Sequence, residues 1–211
     1  MKCRICGVRK PRRWCPGVNG DICSICCGTQ REVTVRCPLS CVYLQEARTH
    51  ERAERLDEAS LPNGDIVVRT DFVEAHISQL AAISAVLARA AQLEPGAVDS
   101  DLLDALEALI RTWRTLSTGL YYDSRPANAV AARIFDRFQE GLQELRREMQ
   151  KDAAPFPSDS EVLVLLAFLQ RVALDRNNGR PLGRAFFELL LRQSGMDEQA
   201  AAPVSPLIHT A

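Results

Sequence analysis

The sequence predicts a mainly α protein in which a small cysteine-rich module precedes an antiparallel bundle of about five helices. Three observations lead there. All eight cysteines lie between Cys3 and Cys41. Beyond residue 70, apolar residues recur at helical spacing in five segments separated by Pro, Gly and Asn. The 211-residue chain is 46% hydrophobic and 25% charged, the balance of a folded chain rather than a disordered one.

The first element is the cysteine framework. Cys3/Cys6 and Cys23/Cys26 form two Cys-x-x-Cys pairs separated by sixteen residues, the spacing of a four-cysteine metal site. Two residues between ligands let a tight turn aim both sulfurs at one ion, and Gly7 and Gly28 follow the pairs where such turns close. Cys15, Cys27, Cys37 and Cys41 remain. The segment from Cys37 reads as a helix with Pro38 in its first turn, placing Cys37 and Cys41 near one side of it. The expected partition is Cys3, Cys6, Cys23 and Cys26 around one zinc, with Cys15, Cys27, Cys37 and Cys41 around a second. Pairing Cys23/Cys26 with Cys37/Cys41, and Cys3/Cys6 with Cys15/Cys27, is the alternative. His50 lies about 13 Å along the helix from Cys41, which argues against it as a ligand. Iron–sulfur ligation and a thiol redox switch are the competing chemistries. Catalytic zinc is disfavoured, because eight cysteines would close two sites completely.

Interleaved pairs ending on a helix resemble the cross-brace zinc modules, such as HIT, MYND and RING fingers, over residues 1–50. The chain departs from them in its Cys26-Cys27 doublet and in lacking a terminal His-x3-Cys. The resemblance implies a binuclear zinc fold used for macromolecular contacts, and does not imply ubiquitin-ligase activity.

The following elements are read in order. The module with its exit helix spans 1–58, and 59–70 is a linker in which IVVRT is a short strand or extended entry. The bundle covers 71–195. A first helix over 71–93 is N-capped by Asp71 and carries Phe72, His76, Leu80, Ile83 and Leu87 on one stripe. His76 on that stripe reads as a satisfied, half-buried histidine. A second helix runs from Asp99–Asp101 through Trp113 to Leu120, and a third from Val130 to Met149. A fourth is capped near Ser158, and a fifth follows NNGRP through Phe186 and Leu190. Residues 196–211 read as a disordered tail.

Charge is uneven. Residues 1–50 hold nine Lys/Arg against three Asp/Glu, whereas the rest holds 17 against 24. Two zinc ions on eight thiolates would reduce the module's surplus of six to about two. Arg9, Lys10, Arg12 and Arg13 surround Trp14 in a stretch expected to loop out between ligands, which suits a protein interface or nucleic-acid stacking. Arg180 and Arg184, placed at the start of the fifth helix, oppose its dipole and suggest an anion or acidic-partner site. No phosphate loop, nucleophile elbow or His-x-x-x-His pair is present. An enzyme would need a polar pocket around Tyr121, Arg125, Asp175 and Asn177. The chain begins without an apolar leader, and its longest apolar run, residues 162–169, is too short to cross a bilayer. The expectation is a cytoplasmic, non-enzymatic zinc adaptor with a protein partner, and nucleic-acid binding is the alternative.

Overall fold

The computed structural model describes residues 1–51, 61–120 and 122–196. Helices occupy 59% of the described residues, and the sheet among them is a single two-stranded hairpin. The protein is mainly α, with a cysteine-rich region followed by a helical bundle.

In the cysteine-rich region, β1 (Arg13–Cys15) pairs antiparallel with β2 (Gly20–Ile22), and helix α1 (Ser24–Gln30) follows directly. Neither element was expected. Asn19 in the left-handed conformation closes the turn, so β1 and β2 form a hydrogen-bonded hairpin where a loop was predicted. Helix α2 (Val42–His50) begins only after Cys41, its N-cap. Cys37 and Pro38 therefore precede the helix, whose first turn they were expected to form.

The bundle begins with α3 (Thr70–Ala75) and α4 (Ile77–Gln92), which replace the single helix predicted over 71–93. The break falls at His76, whose ring bonds the Phe72 carbonyl at 2.8 Å and approaches Glu161 at 3.3 Å. It is half-buried and satisfied, as expected. Arg69, not Asp71, is the N-cap, and Asp71 pairs with it through the side chain. Residues 66–69 form no strand; instead the Ile66 carbonyl accepts from Arg171 at 2.6 Å.

Helices α5 (Asp99–Leu116), α6 (Ala129–Lys151), α7 (Asp159–Arg176) and α8 (Ala185–Gln193) complete the bundle. The Ser158 hydroxyl accepts from the Glu161 amide, while Glu161 bonds the Ser158 amide, so α7 starts on the expected cap. Helix α5 ends before Leu120, which is exposed. Met196, assigned to the tail, donates its amide to the Leu191 carbonyl and packs on the core. The remaining tail, Tyr121 and part of the exit helix and linker lie outside the described residues.

Helix α5 packs against α6, α7 and α8, and α4 packs against α6 and α8. Phe135, Phe138, Phe186, Leu102, Leu106 and Ile110 fill the centre, fully buried. Helices α4 and α6 run antiparallel, since Glu94 at the end of α4 meets Arg133 near the start of α6, and Val86 faces Gly141. Helices α5 and α6 share a direction: Asn128 at the start of α6 bonds Asp101 at the start of α5, and Trp113 meets Phe138 edge-on. The twelve-residue return between α5 and α6 permits this.

Glu32 joins the cysteine-rich region to the bundle. It is 0% exposed and holds a left-handed φ of 52°. Its carboxylate accepts from Arg48 at 2.8 Å, Asn178 at 2.9 Å and the Arg184 amide at 3.2 Å. Its carbonyl accepts from the Leu182 amide at 2.8 Å. Arg48 also pairs with Glu188 of α8. Removing one partner of a buried ion pair strands the other charge. Glu32→Ala is therefore expected to lower stability by about 3–5 kcal/mol in denaturant titrations. A loss below about 1 kcal/mol, the scale of an exposed pair, would show that the seam does not depend on it.

Asp99 performs a similar task between α5 and α8. Its carboxylate accepts from the Phe186 and Phe187 amides, both at 3.0 Å. Burial raises its pKa to about 6, although those amides, the Ala185 amide and the Arg48 charge pull the other way. The folded state therefore holds the proton more tightly than the unfolded chain. Its contribution to stability is fully present below the unfolded value near 3.8 and is lost as pH rises through about 6. Asp99→Asn should remove this fall, so that the wild type loses stability relative to the variant between those pH values. Parallel pH–stability curves would contradict the assignment.

Candidate metal centre

The Cys3–Cys6 and Cys23–Cys26 turns face one another, and their four sulfurs all lie within 4.8 Å of each other. Sulfurs bonded at about 2.3 Å to one tetrahedral ion stand about 3.8 Å apart, so the group could hold a metal ion with little adjustment. The first turn is closed by the Gly7 amide donating to the Cys3 carbonyl, with Gly7 at φ 66°. The second turn continues as α1, with Cys23 as its N-cap and its sulfur accepting from the Cys26 amide at 3.4 Å. The Cys23 amide donates across to the Cys3 sulfur at 3.2 Å. Cys23 and Cys26 thus meet Cys3 and Cys6, as expected for the first site, and not Cys37 and Cys41.

Ionisation within this group is uneven. Burial works against the Cys3 thiolate, but amides of Cys6, Cys23 and Ile5 bring its pKa down to about 6. Burial and hydrogen bonds to the other three thiols push Cys26 up to about 12. Amides of Arg9 and Val8 lower Cys6. Four adjacent thiols cannot all ionise without a cation among them. Arg9 contributes partial compensation: its guanidinium is drawn to Cys23, with Cys6 and Cys26 adding to the attraction.

None of the eight cysteines forms a disulfide, and of the other four Cys15, Cys27 and Cys37 are buried. Among the described residues, only the first group gathers three or more such ligand atoms within 4.8 Å. Cys37 is raised by burial first and then by the charges of Cys41 and Cys15, so these three share one neighbourhood. Cys27 accepts from Arg13 at 3.7 Å and Arg31 at 3.9 Å. Arg13 also lies over the Tyr43 ring at 3.9 Å, two residues beyond Cys41.

No family profile, curated protein or solved structure matches this chain.

The predicted contact residues separate into two groups. Arg12, immediately before β1, and Trp14 on it are exposed, Trp14 at 57%. Arg9 and Lys10 are exposed beside them in sequence. Arg13 and Cys15 occupy the opposite face, and Arg13 is engaged with Cys27 and Tyr43. Strand alternation decides which of the two adjacent arginines faces outward. Arg184 is 6% exposed, donates to the Cys37 carbonyl at 2.6 Å and is the residue before α8. Arg180, also before the helix, donates to the Arg31 carbonyl at 2.7 Å. Both arginines bind the bundle to the cysteine-rich region. A local sequence reading places them at a helix start because the long-range carbonyls they meet are invisible to it.

Arg125 pairs with Asp136, whereas Asp175 and Asn177 line a 520 Å³ cleft beside α2 and α8. The structure thus does not unite Arg125 with the other two. No described helix is long and apolar enough to cross a membrane.

Cys6→Ser should remove one equivalent of bound metal in elemental analysis of protein purified without chelators. Cys41→Ser should leave that equivalent in place. Equal loss from both variants would mean that the four sulfurs are not an independent centre.

Proposed function

We propose that the protein is a non-enzymatic zinc adaptor whose β1–β2 hairpin contacts a protein partner. The observation carrying this reading is Trp14: a large aromatic, more than half exposed, on a hydrogen-bonded hairpin anchored beside a cysteine-rich metal centre. Val8 and Ile25, next to the two cysteine turns, are also exposed. Apolar side chains with arginine at the centre of a surface fit a protein interface. Arg13, Arg180 and Arg184 are occupied internally and Arg9, though exposed, is drawn to the Cys23 sulfur, leaving Lys10 and Arg12 as the cationic part of the surface.

Zinc is the ion that four thiols at Cys-x-x-Cys spacing suit best. Cys15, Cys27, Cys37 and Cys41 would take a second zinc, completing the cross-brace arrangement that the interleaved order resembles. Arg13 and Arg31 at Cys27 would offset the excess negative charge of four thiolates on one divalent ion.

Zinc-loaded protein, immobilised and exposed to native extract with and without nuclease, should retain a nuclease-resistant partner. Arg12→Glu combined with Trp14→Ala should release it at unchanged thermal stability. Retention that disappears with nuclease and falls steeply with salt would move the assignment to nucleic acid.

A further inference from the structure

A second surface lies on the opposite class of chemistry. Helices α4 and α6 enclose a 540 Å³ groove with a floor of small and aliphatic side chains, among them Ala82, Ala85, Val86 and Leu145. Gly141 keeps it open: a Cβ there would stand 2.9 Å from the Val86 Cγ1 methyl. Leu93, at one end, is 47% exposed. A face of this kind is covered by neighbouring helices elsewhere in the bundle.

The rim indicates what would cover it. Glu140, Glu144 and Glu148 recur every fourth residue along α6, so they form a ladder about 12 Å long on one side. All three are exposed, and none forms an ion pair among the described residues. Like charges at that spacing repel one another. Glu148 also lies in the last turn of α6, where the helix dipole disfavours anions. The two arginines of the groove do not relieve this: Arg137 is held by Glu94, and Arg89 stands on α4 beside Gln92. In the isolated chain the ladder is therefore unfavourable, and cations supplied from outside would offset it. Acidic residues also outnumber basic ones beyond residue 50.

We propose that the α4–α6 groove docks a basic amphipathic helix of a partner protein. Its aliphatic stripe would lie on Ala85, Val86 and Leu145, and Lys or Arg residues spaced four apart would meet the three glutamates. A helix of about three turns covers the ladder. The groove and the Trp14 hairpin would then be two surfaces of one adaptor, recognising partners of different chemistry. The proposal rests on the adaptor reading, and a hairpin variant included in its test keeps a failure of the groove distinct from a failure of the hairpin.

The probe is a synthetic amphipathic peptide of roughly four turns with a leucine stripe and flanking lysines, compared with the same peptide carrying glutamates instead. Zinc-loaded full-length protein should bind the lysine peptide at least about tenfold more tightly than the glutamate peptide, with affinity falling as salt rises. Glu140→Lys/Glu144→Lys/Glu148→Lys, all on the solvent side, should reverse that preference at unchanged helix content. Ala85→Glu should weaken the lysine peptide without reversing it. The Arg12→Glu/Trp14→Ala variant should bind the peptide as the wild type does, which separates a failure here from a failure of the hairpin. Equal binding of both peptides, or indifference to the triple reversal, would overturn the proposal. So would a concentration-dependent dimer abolished by Ala85→Glu, which would give the groove to a second copy of the chain.

Discussion

The buried Glu32 carboxylate is the constraint on which the arrangement of this protein depends. An ionised side chain removed from water must find its full set of donors. Glu32 draws them from three places: Arg48 on α2, Asn178 after α7 and the Arg184 amide before α8. Those groups belong to distant parts of the chain, so satisfying one carboxylate fixes the cysteine-rich region against the bundle. The same seam holds Arg184 under the Cys37 carbonyl and Arg180 under that of Arg31. The apolar core is continuous across it, running from Cys3 and Ile22 through Leu44 to Phe186 and Leu191. The four-cysteine cluster that could hold a metal ion therefore sits against the bundle's core.

That seam gives the cysteine-rich region its orientation. Helix α1 positions Cys23 and Cys26 through its first turn, while Cys27 falls on another side and meets Arg13 and Arg31. The hairpin exposes Arg12 and Trp14 and directs Arg13 and Cys15 inward. Charge follows the same division: cations are spent around sulfur atoms and carbonyls, Arg9 at Cys23 among them, and Lys10 and Arg12 remain turned to solvent in this stretch. The bundle presents the opposite sign along α6.

Much of the architecture was legible locally. Five helical segments, the cap at Ser158 and the cysteine spacing each depend on residues within about four positions of one another, a range at which periodicity and turn chemistry act directly. The departures have physical causes. A single stripe hid the break at His76, because the short α3 and the longer α4 both turn apolar residues, Phe72 and Leu80 among them, to the same core. Pro38 suits a first turn, but Cys37 and Cys41 sit ahead of α2, where their sulfurs can approach Cys15. Helices α5 and α6 were expected to alternate in direction, and the long return between them lets them run together.

The sequence by itself determined the mainly helical class and the presence of two Cys-x-x-Cys turns at metal-site spacing, since periodicity and turn chemistry act locally, but which turns face one another was settled by the fold. Only the tertiary structure decided which arginines face solvent and which are consumed, and that a single glutamate couples two regions. Those outcomes depend on carbonyls and carboxylates brought together from as far as 152 residues apart, and no local pattern records such a meeting.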